Sequence, residues 1–321
     1  MAQLATTFST YDAAAIREDL SDLISNISPT DTPFMSNIGS ESCQNTYFEW
    51  QTDSLASAST SNHQIEGDDL GNTYTAVTAT TRLGNYTSIS RKEFLLSGTE
   101  QAVNKAGRAS ELGYQAAKKA RELKRDCEAI LLDNNAAVAG NDTTARETGG
   151  LTAWLKSNVN SSNTNSVDPV WTSAPTGARS DGVQRAFTET ILKDVVKQCW
   201  DNGGEPSILM VGSFNKQAVS AFAGIAAQRF QAPTGPTTII GAADVYVSDF
   251  GNLSVVPNRF QRARDGFVID PSRARLRTLR PYEINEMART GDSEKRMMLH
   301  EYGLQIDNEA AHGIAADLST S

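Results

Sequence analysis

The stretch NTYFEWQTDSLASASTSNHQIEGDD, residues 45–69, changes character partway along its length. Residues 46–52 are rich in aromatic side chains and threonine, a composition that favours a β-strand. Residues 54–69 are small, polar and acidic, and they lack the apolar side chains that a hydrophobic core requires. The sequence therefore predicts a strand that leads into a long polar segment.

Residues 73–91 return to a β-prone composition, so the two stretches together predict a long β-hairpin. Val77, Ala79, Thr81 and Leu83 alternate with polar residues, as expected of a strand with one apolar face. The connection between the two strands is about 20 residues, which is long for a loop inside a compact domain. We expect it to be either disordered or ordered by contacts from outside its own domain.

Residues 99–134 carry the strongest helical pattern in the chain. Small or apolar residues recur at alternating steps of three and four, which is one face of a single long helix. The members of this seam are Ala102, Ala106, Ala109, Gly113, Ala116, Ala120, Leu123, Cys127 and Ile130. A coiled coil is the alternative, but its seam is normally Leu and Ile. Alanine and glycine allow closer approach, so we expect one spine helix, roughly 50 Å long, lying on a sheet.

Charge is distributed unevenly along the 321 residues, whose formal net charge is −9. Residues 1–91 hold three arginines, no lysine and eleven acidic residues, a local net charge of −8. This acidity either serves solubility or gives a surface that does not hold nucleic acid tightly. It argues against a dedicated nucleic-acid reader, which carries a basic footprint.

Cysteine usage and the N-terminal sequence limit the cellular compartments in which we expect the protein. Cys43, Cys127 and Cys199 are far apart, so we expect free thiols and a reducing environment. The N-terminus shows no charged-then-apolar signal region, and no apolar run approaches the ~18 residues of a membrane span. We therefore expect synthesis and use in a cytoplasm, without membrane insertion.

Residues 1–44 indicate an N-terminal arm. Ile16, Leu20, Leu23 and Ile27 lie at helical spacing and predict a short helix. The following segment, SPTDTPFMSNIGS, places two prolines and a glycine around Phe34 and Met35. These two apolar residues need a surface, either on their own domain or on another chain.

The second half of the chain predicts a compact α/β unit over residues 183–256 and a returning β segment after it. Gly149 and Gly150, in TGGLTAWLKSN, are expected to supply backbone freedom beside a Leu–Trp–Leu anchor. Arg273, Arg275 and Arg277 are expected on one face of a strand. Such a row either contacts phosphates or forms a solvated, salt-bridged sheet face.

A search for chemistry finds no convergent set of reactive residues. His63, His300 and His312 have no Cys, Asp or His partner at metal-ligand spacing. The sequence lacks a phosphate-binding GxxxxGK[ST] loop and a GxSxG nucleophile elbow. EGDDLGN, residues 66–72, lacks the alternating ligands of a calcium loop. We expect no catalytic, cofactor-binding or metal-binding residues.

Several long segments give the chain a family resemblance. It resembles the major capsid proteins of tailed double-stranded-DNA bacteriophages, with the Hong Kong 97-type capsid fold. The segments that carry the resemblance are TFSTYDAAAIREDLSDLI, SPTDTPFMSNIG, ETGGLTAWLKSN, VVPNRFQRARDGFVIDP and RLRTLRPYEINEMARTGDSEKRMMLHEYGL.

The resemblance implies an α+β fold in five parts. We expect an N-terminal arm (1–44), an extended β-hairpin loop (45–92), a peripheral domain with the spine helix (93–182), an axial α/β domain (183–256) and a return to the peripheral domain (257–321).

It also implies a function, that of a non-enzymatic major capsid protein. Hexamers and pentamers of this chain would close an icosahedral shell around double-stranded DNA, assembled in the host bacterial cytoplasm to form the virion. The extended loop would lie over one neighbour and the arm under another. The partners would be the same chain, non-specifically bound DNA, a portal protein and separate scaffolding or cement proteins. The expected contact residues are Phe34, Met35, Phe48, Trp50 and Trp154.

One family feature is not expected here. Some members weld their shells through an isopeptide bond from an extended-loop lysine to an asparagine on a neighbour. This chain has no lysine before Lys92, so its shell would depend on non-covalent contacts or cement.

Three other functions remain as alternatives. The same fold serves bacterial encapsulating nanocompartments, which would enclose an enzyme rather than DNA. A soluble α/β enzyme would be a stable monomer with a saturable small-molecule site. A phage tail or surface protein is a further alternative, against which the small-residue face of the predicted spine helix argues.

Overall fold

The computed structural model describes residues 31–67, 77, 79–103, 110–222 and 244–321. The predicted helix over residues 16–27 lies outside these ranges. In the described part the helices are α1 (Pro33–Asn37), α2 (Gly98–Ala102), α3 (Glu111–Leu132), α4 (Leu151–Trp154), α5 (Glu189–Asp201) and α6 (Ser213–Ser220). The strands are β1 (Gly39–Ser42), β2 (Tyr47–Thr52), β3 (Thr81–Tyr86), β4 (Ser88–Ser97), β5 (Val159–Asn160), β6 (Ile208–Val211), β7 (Val245–Ser248), β8 (Gly251–Pro257), β9 (Gly266–Ile269), β10 (Ala274–Met287), β11 (Ser293–Ile306) and β12 (Gly313–Ala315).

A four-stranded sheet supports the long helix α3. Its strand order is β1-β10-β11-β4, in which β1 runs parallel to β10 and the other pairs are antiparallel. Helix α3 packs on β4 and β11, where Cys127 Sγ lies 3.6 Å from His300 Nδ1 and Lys92 forms a 2.5 Å salt bridge with Asp126. The predicted arrangement of a helix on a sheet is confirmed.

The predicted single helix over residues 99–134 is wrong in its extent. Helix α2 ends at Val103, whose backbone is extended, and α3 begins only after Ser110, whose backbone is also extended. The Ser110 hydroxyl accepts the backbone N–H of Gly113, which makes it the N-cap of α3. A helix of 22 residues is about 33 Å long, not 50 Å. Residues 104–109 lie outside the described ranges.

The predicted hairpin is present at its base. Strands β2 and β3 pair antiparallel from Tyr47↔Tyr86 to Thr52↔Thr81. The β-prone stretch 73–91 does not form one strand, because Thr87 separates β3 from β4 and β4 joins the four-stranded sheet. Residues 68–76 and 78 lie outside the described ranges.

A six-stranded sheet forms the second layer, with strand order β5-β12-β9-β6-β8-β7. Helix α5 covers one face through Leu192, Val195, Val196 and Cys199, which are fully buried or nearly so. Gly203, which follows α5, has a φ of 81°, a left-handed conformation that glycine adopts readily at the end of a helix.

Residues 257–321 contribute strands to both sheets, and their assignment to the peripheral domain stays a prediction. Strand β9 pairs antiparallel with β6, and β12 pairs with both β9 and β5, so both belong to the six-stranded sheet. Only β10 and β11 return to the four-stranded sheet. Four consecutive buried residues form β9, and such a run gives no sign of which sheet it will join.

Candidate assembly surfaces

The extended loop between β2 and β3 projects without a core of its own. Every described residue from 53 to 67 is exposed, and Leu55 and Ile65 retain 97% and 79% of their accessible surface. The hydrogen bonds within this stretch are local, such as Ser54 N to Asp53 Oδ1 at 2.8 Å. A segment built this way gains little from its own subunit, so neighbouring chains are the natural source of ordering contacts.

A chain of aromatic rings fixes the base of the loop. The ring centroids of Phe48 and Trp50 are 5.9 Å apart, those of Trp50 and Trp154 are 5.4 Å apart, and those of Trp154 and Trp171 are 5.0 Å apart. The indole N–H of Trp171 donates to the carbonyl of Trp154 at 3.2 Å. Rings at these separations stabilise each other beyond the area they bury, so the loop leaves a rigid base.

Asn85 ties β3 to the body of the subunit. Its buried amide nitrogen donates to the carbonyls of Leu304, at 2.7 Å, and Gly149, at 3.2 Å. Its oxygen accepts the backbone N–H groups of Gly149 and Tyr86, both at 2.9 Å. The Gly149–Gly150 pair is needed for close approach rather than for backbone freedom, because a Cβ on Gly150 would lie 2.1 Å from the carbonyl of Asp133.

Glu301 joins four segments at one buried carboxylate. It lies on β11 and accepts the Thr87 hydroxyl at 3.0 Å and Arg280 Nε at 2.8 Å. It also forms a salt bridge with Arg146, from the loop that follows α3. Charge-assisted bonds of this kind compensate the cost of burying a carboxylate. The base of the extended loop is thereby fixed to β10 and β11.

Glu128 fixes the end of the N-terminal arm. This buried carboxylate of α3 accepts the backbone N–H groups of Phe34, at 2.7 Å, and Met35, at 2.9 Å. The side-chain amide of Asn258 also donates to it at 2.8 Å. Burial raises the pKa of Glu128, and these hydrogen bonds, with the nearby Lys124, act in the opposite direction. The first turn of α1 is therefore held against the spine helix.

The five predicted contact residues fall into two groups. Phe34, Phe48 and Trp154 are buried inside their own subunit, where they anchor the arm and the base of the loop, and their contact with a neighbouring chain stays a prediction. Met35 and Trp50 are only partly buried against the core, and their contact with a neighbour stays a prediction. In a sequence, a large apolar residue beside a polar loop is equally consistent with a place in the core and a place in an interface. The fold is needed to distinguish these two positions.

The arginine row has mostly internal partners. Arg275 forms a salt bridge with Asp307 at 2.7 Å, and Arg277 forms one with Glu41 at 3.0 Å. Arg273 is not on the strand at all, because it lies in the 3-10 turn Pro271–Arg273. The salt-bridged sheet face is therefore the better description of Arg275 and Arg277.

The buried cysteine thiols and histidine rings are uncharged near neutral pH. Burial raises the pKa of Cys127 to about 11 and that of Cys199 to about 12, so both thiols are protonated near neutral pH. Burial lowers the pKa of His300 and His312 to about 4, so both rings are uncharged. Among the described residues, no group of His, Cys, Asp and Glu is arranged to hold a metal ion. Within the same ranges, no helix has the length and apolar composition to cross a membrane.

A helix on one sheet, a second α/β sheet, a coreless projecting loop and an anchored arm together define a shell-building subunit of the Hong Kong 97 capsid type. The chain belongs to the SU10 major capsid protein family, whose model matches residues 2–319. It is 29% identical to the major capsid protein of Escherichia phage Phieco32 over 346 residues, covering 96% of each chain. The protein is therefore a phage major capsid protein, and a nanocompartment subunit is not favoured.

Solved capsid structures share the fold at low sequence identity. The capsid asymmetric unit of cyanophage A-1(L) matches with a TM-score of 0.66 at 12% identity, covering 98% of this chain and 99% of the other. A structure of the phage G major capsid and decoration proteins matches with a TM-score of 0.55 at 11% identity, covering 99% and 100%. The predicted fold class is confirmed, and family membership assigns the protein a structural role in the virion shell.

Proposed function

We propose that this subunit assembles through hexamers and pentamers into an icosahedral shell that encloses double-stranded DNA. The observation that carries the proposal is the extended loop, whose described residues 53–67 are all exposed on a rigid aromatic base. A neighbour can bind such a segment through backbone pairing without a large apolar patch. In a closed shell each subunit makes many such contacts, and the high effective concentration of its neighbours makes the combined binding much stronger than any single contact.

The proposal includes the partners and the place of assembly. Shell formation takes place in the bacterial cytoplasm, and DNA enters through a portal protein. Scaffolding and cement functions belong to separate chains. The phage G capsid structure, which contains decoration proteins, supports the cement partner by analogy. Cross-linking from a loop lysine plays no part, because the first lysine is Lys92.

Deletion of residues 53–72 tests the role of the loop. We expect a subunit that unfolds in urea at the wild-type midpoint, because the described part of this segment makes no core contact. Electron microscopy of the concentrated variant should show neither shells nor capsomer-sized rings, whereas the wild type should form them. Regular particles from the deletion variant would exclude the loop as an assembly element.

A matched pair of substitutions makes the test finer. Leu55→Ser with Ile65→Ser removes the two large apolar side chains within residues 53–67, and we expect a lower yield of particles with unchanged subunit stability. Val170→Ser changes a residue that is equally exposed, at 84%, but lies in a different loop. Equal particle yields from the two variants would contradict the proposed contact.

A further inference from the structure

The exposed face of α3 carries an unusual concentration of positive charge for an acidic protein. Lys118, Arg121 and Lys124 are exposed and follow one another at steps of three residues. None of the three forms a salt bridge with the described residues. Two carboxylates of the same helix have other partners, since Glu122 pairs with Lys119 and Asp126 pairs with Lys92. Like charges at this spacing destabilise a helix, so a partner of opposite charge is expected. We call these three residues the basic face.

Glu128, which anchors the N-terminal arm, lies on the same side of α3 as the basic face. Glu128 lies four residues after Lys124 and seven after Arg121, which places all three on one side of α3. The Lys124 charge is close enough to favour the ionised form of Glu128, against the larger effect of burial. Since Glu128 binds the N–H groups of Phe34 and Met35, the arm reaches α3 at one end of the basic face.

The segment that precedes this anchor has the complementary charge. Residues 12–31 contain five acidic residues, one arginine and no lysine, a net charge of −4. Glu18 and Asp22 fall on the side of the predicted helix away from its apolar residues, and Asp19 lies at the border of the apolar side. Lys118 and Glu128 are ten residues apart, about 15 Å along α3, a distance that nine residues from Asp22 to Asp31 readily span.

We propose that the basic face of α3 is the docking surface for the acidic segment 12–31 of the same chain. The contact is electrostatic and starts from the fixed point at Glu128. It lies within one subunit, so it stands or falls independently of the proposed shell contacts of the extended loop. Duplex DNA and the arm of a second copy are the competing occupants that the experiment must separate.

Charge reversal and charge exchange test the proposal in the full-length chain, kept below the concentration at which light scattering detects assembly. Hydrogen exchange of residues 12–31 is measured by mass spectrometry. Arg121→Glu with Lys124→Glu should speed exchange about three- to tenfold, the effect of losing two exposed ion pairs. Adding Glu18→Lys with Asp22→Lys to that variant should restore wild-type protection. Raising the salt concentration should weaken the protection of residues 12–31 from exchange in both the wild type and the charge-exchanged variant.

Two controls keep the outcome decisive. Lys193→Glu with Lys197→Glu reverses two exposed lysines on α5 and should leave exchange of the arm unchanged. Arg121→Gln with Lys124→Gln repeats the test with a milder change, and circular dichroism checks that each variant is folded.

Three results would overturn the proposal. The first is equal exchange in wild type and in the reversed variant. The second is protection that appears only in assembled particles, which would assign the basic face to the arm of a neighbouring copy. The third is an unchanged arm together with a lower DNA content of particles carrying the reversed face, which would assign the face to the packaged genome.

Discussion

Glu301 illustrates how a single buried carboxylate can determine the geometry of a projecting segment. Its partners come from three places: Thr87 at the junction of β3 and β4, Arg146 in a loop, and Arg280 on β10. A carboxylate in this position is unfavourable without its cations, and the cations are unfavourable without it. The group therefore has a single satisfied arrangement, in which the base of the extended loop is fixed.

Glu301→Gln should destabilise the subunit by about 3 kcal/mol, because Arg146 and Arg280 lose the buried anion that they share. Urea unfolding of the unassembled subunit measures the change. Glu49→Gln is the matched control, since the Glu49–Arg82 salt bridge lies on the solvent-exposed hairpin. Its loss should cost less than about 1 kcal/mol. Similar losses from the two variants would show that burial of Glu301 contributes nothing.

At the scale of the element, Ser110 determines where the spine helix begins. Its hydroxyl accepts the N–H of Gly113, and its own backbone is extended. Ser110→Ala should destabilise the subunit by about 1 kcal/mol and speed amide exchange in the first turn of α3. Ser110→Asp keeps an N-cap acceptor and should leave both quantities near wild type. Equal behaviour of the two variants would mean that the cap is not what starts the helix.

The break between α2 and α3 shows where sequence reasoning stops working. The seam pattern correctly predicts the buried positions Leu123 and Cys127, which are fully buried on the sheet. It was extended too far because Ala102, Ala106 and Ala109 continue the same spacing. Periodicity indicates which face of a helix is apolar. The first residue of the helix depends instead on local hydrogen bonding, and here the Ser110 side chain binds the backbone N–H of Gly113 while the Ser110 backbone stays extended.

The polar anchors could not be predicted for a different reason. Asn85 and Leu304 are 219 positions apart in sequence, and the Glu128 contact with Phe34 spans 94 positions. Each residue is an ordinary polar side chain in its local context, and its importance comes from a partner that only the tertiary fold supplies. Local patterns did suffice for the hairpin base and the α/β unit, because turn spacing and apolar runs encode those elements directly.

At the scale of the whole molecule, buried titratable groups contribute to the dependence of stability on pH. The pKa of His300 and of His312 is about 4, below the usual 6.5, because burial disfavours the charged ring. Between pH 6.5 and 4 the unfolded chain binds protons at these rings that the folded chain does not. Stability should therefore fall as the pH is lowered through this range.

Burial also raises the pKa of Asp265 to about 6, against the nearby Arg262. The folded chain then binds a proton there between pH 6 and 3.8 that the unfolded chain lacks, so Asp265 offsets part of the histidine effect.

His300→Phe keeps a ring stacked between Tyr282 and Tyr302 but removes one titration. We expect a flatter dependence of the unfolding free energy on pH between 6.5 and 4, by up to about 3 kcal/mol over the range. Asp265→Asn should change the slope in the other direction and steepen the loss. Urea unfolding at a series of pH values measures both variants. An unchanged slope for His300→Phe would mean that the His300 ring has the same pKa in the folded and the unfolded chain.

The position of β12 has a consequence for biosynthesis. This strand inserts between β5 and β9, so residues near position 160 gain their sheet partner only from residues near position 314. The six-stranded sheet therefore cannot close while the ribosome is still making the preceding 300 or so residues. A nascent chain whose translation stops before residue 313 lacks this strand, so its β5 segment has no sheet partner.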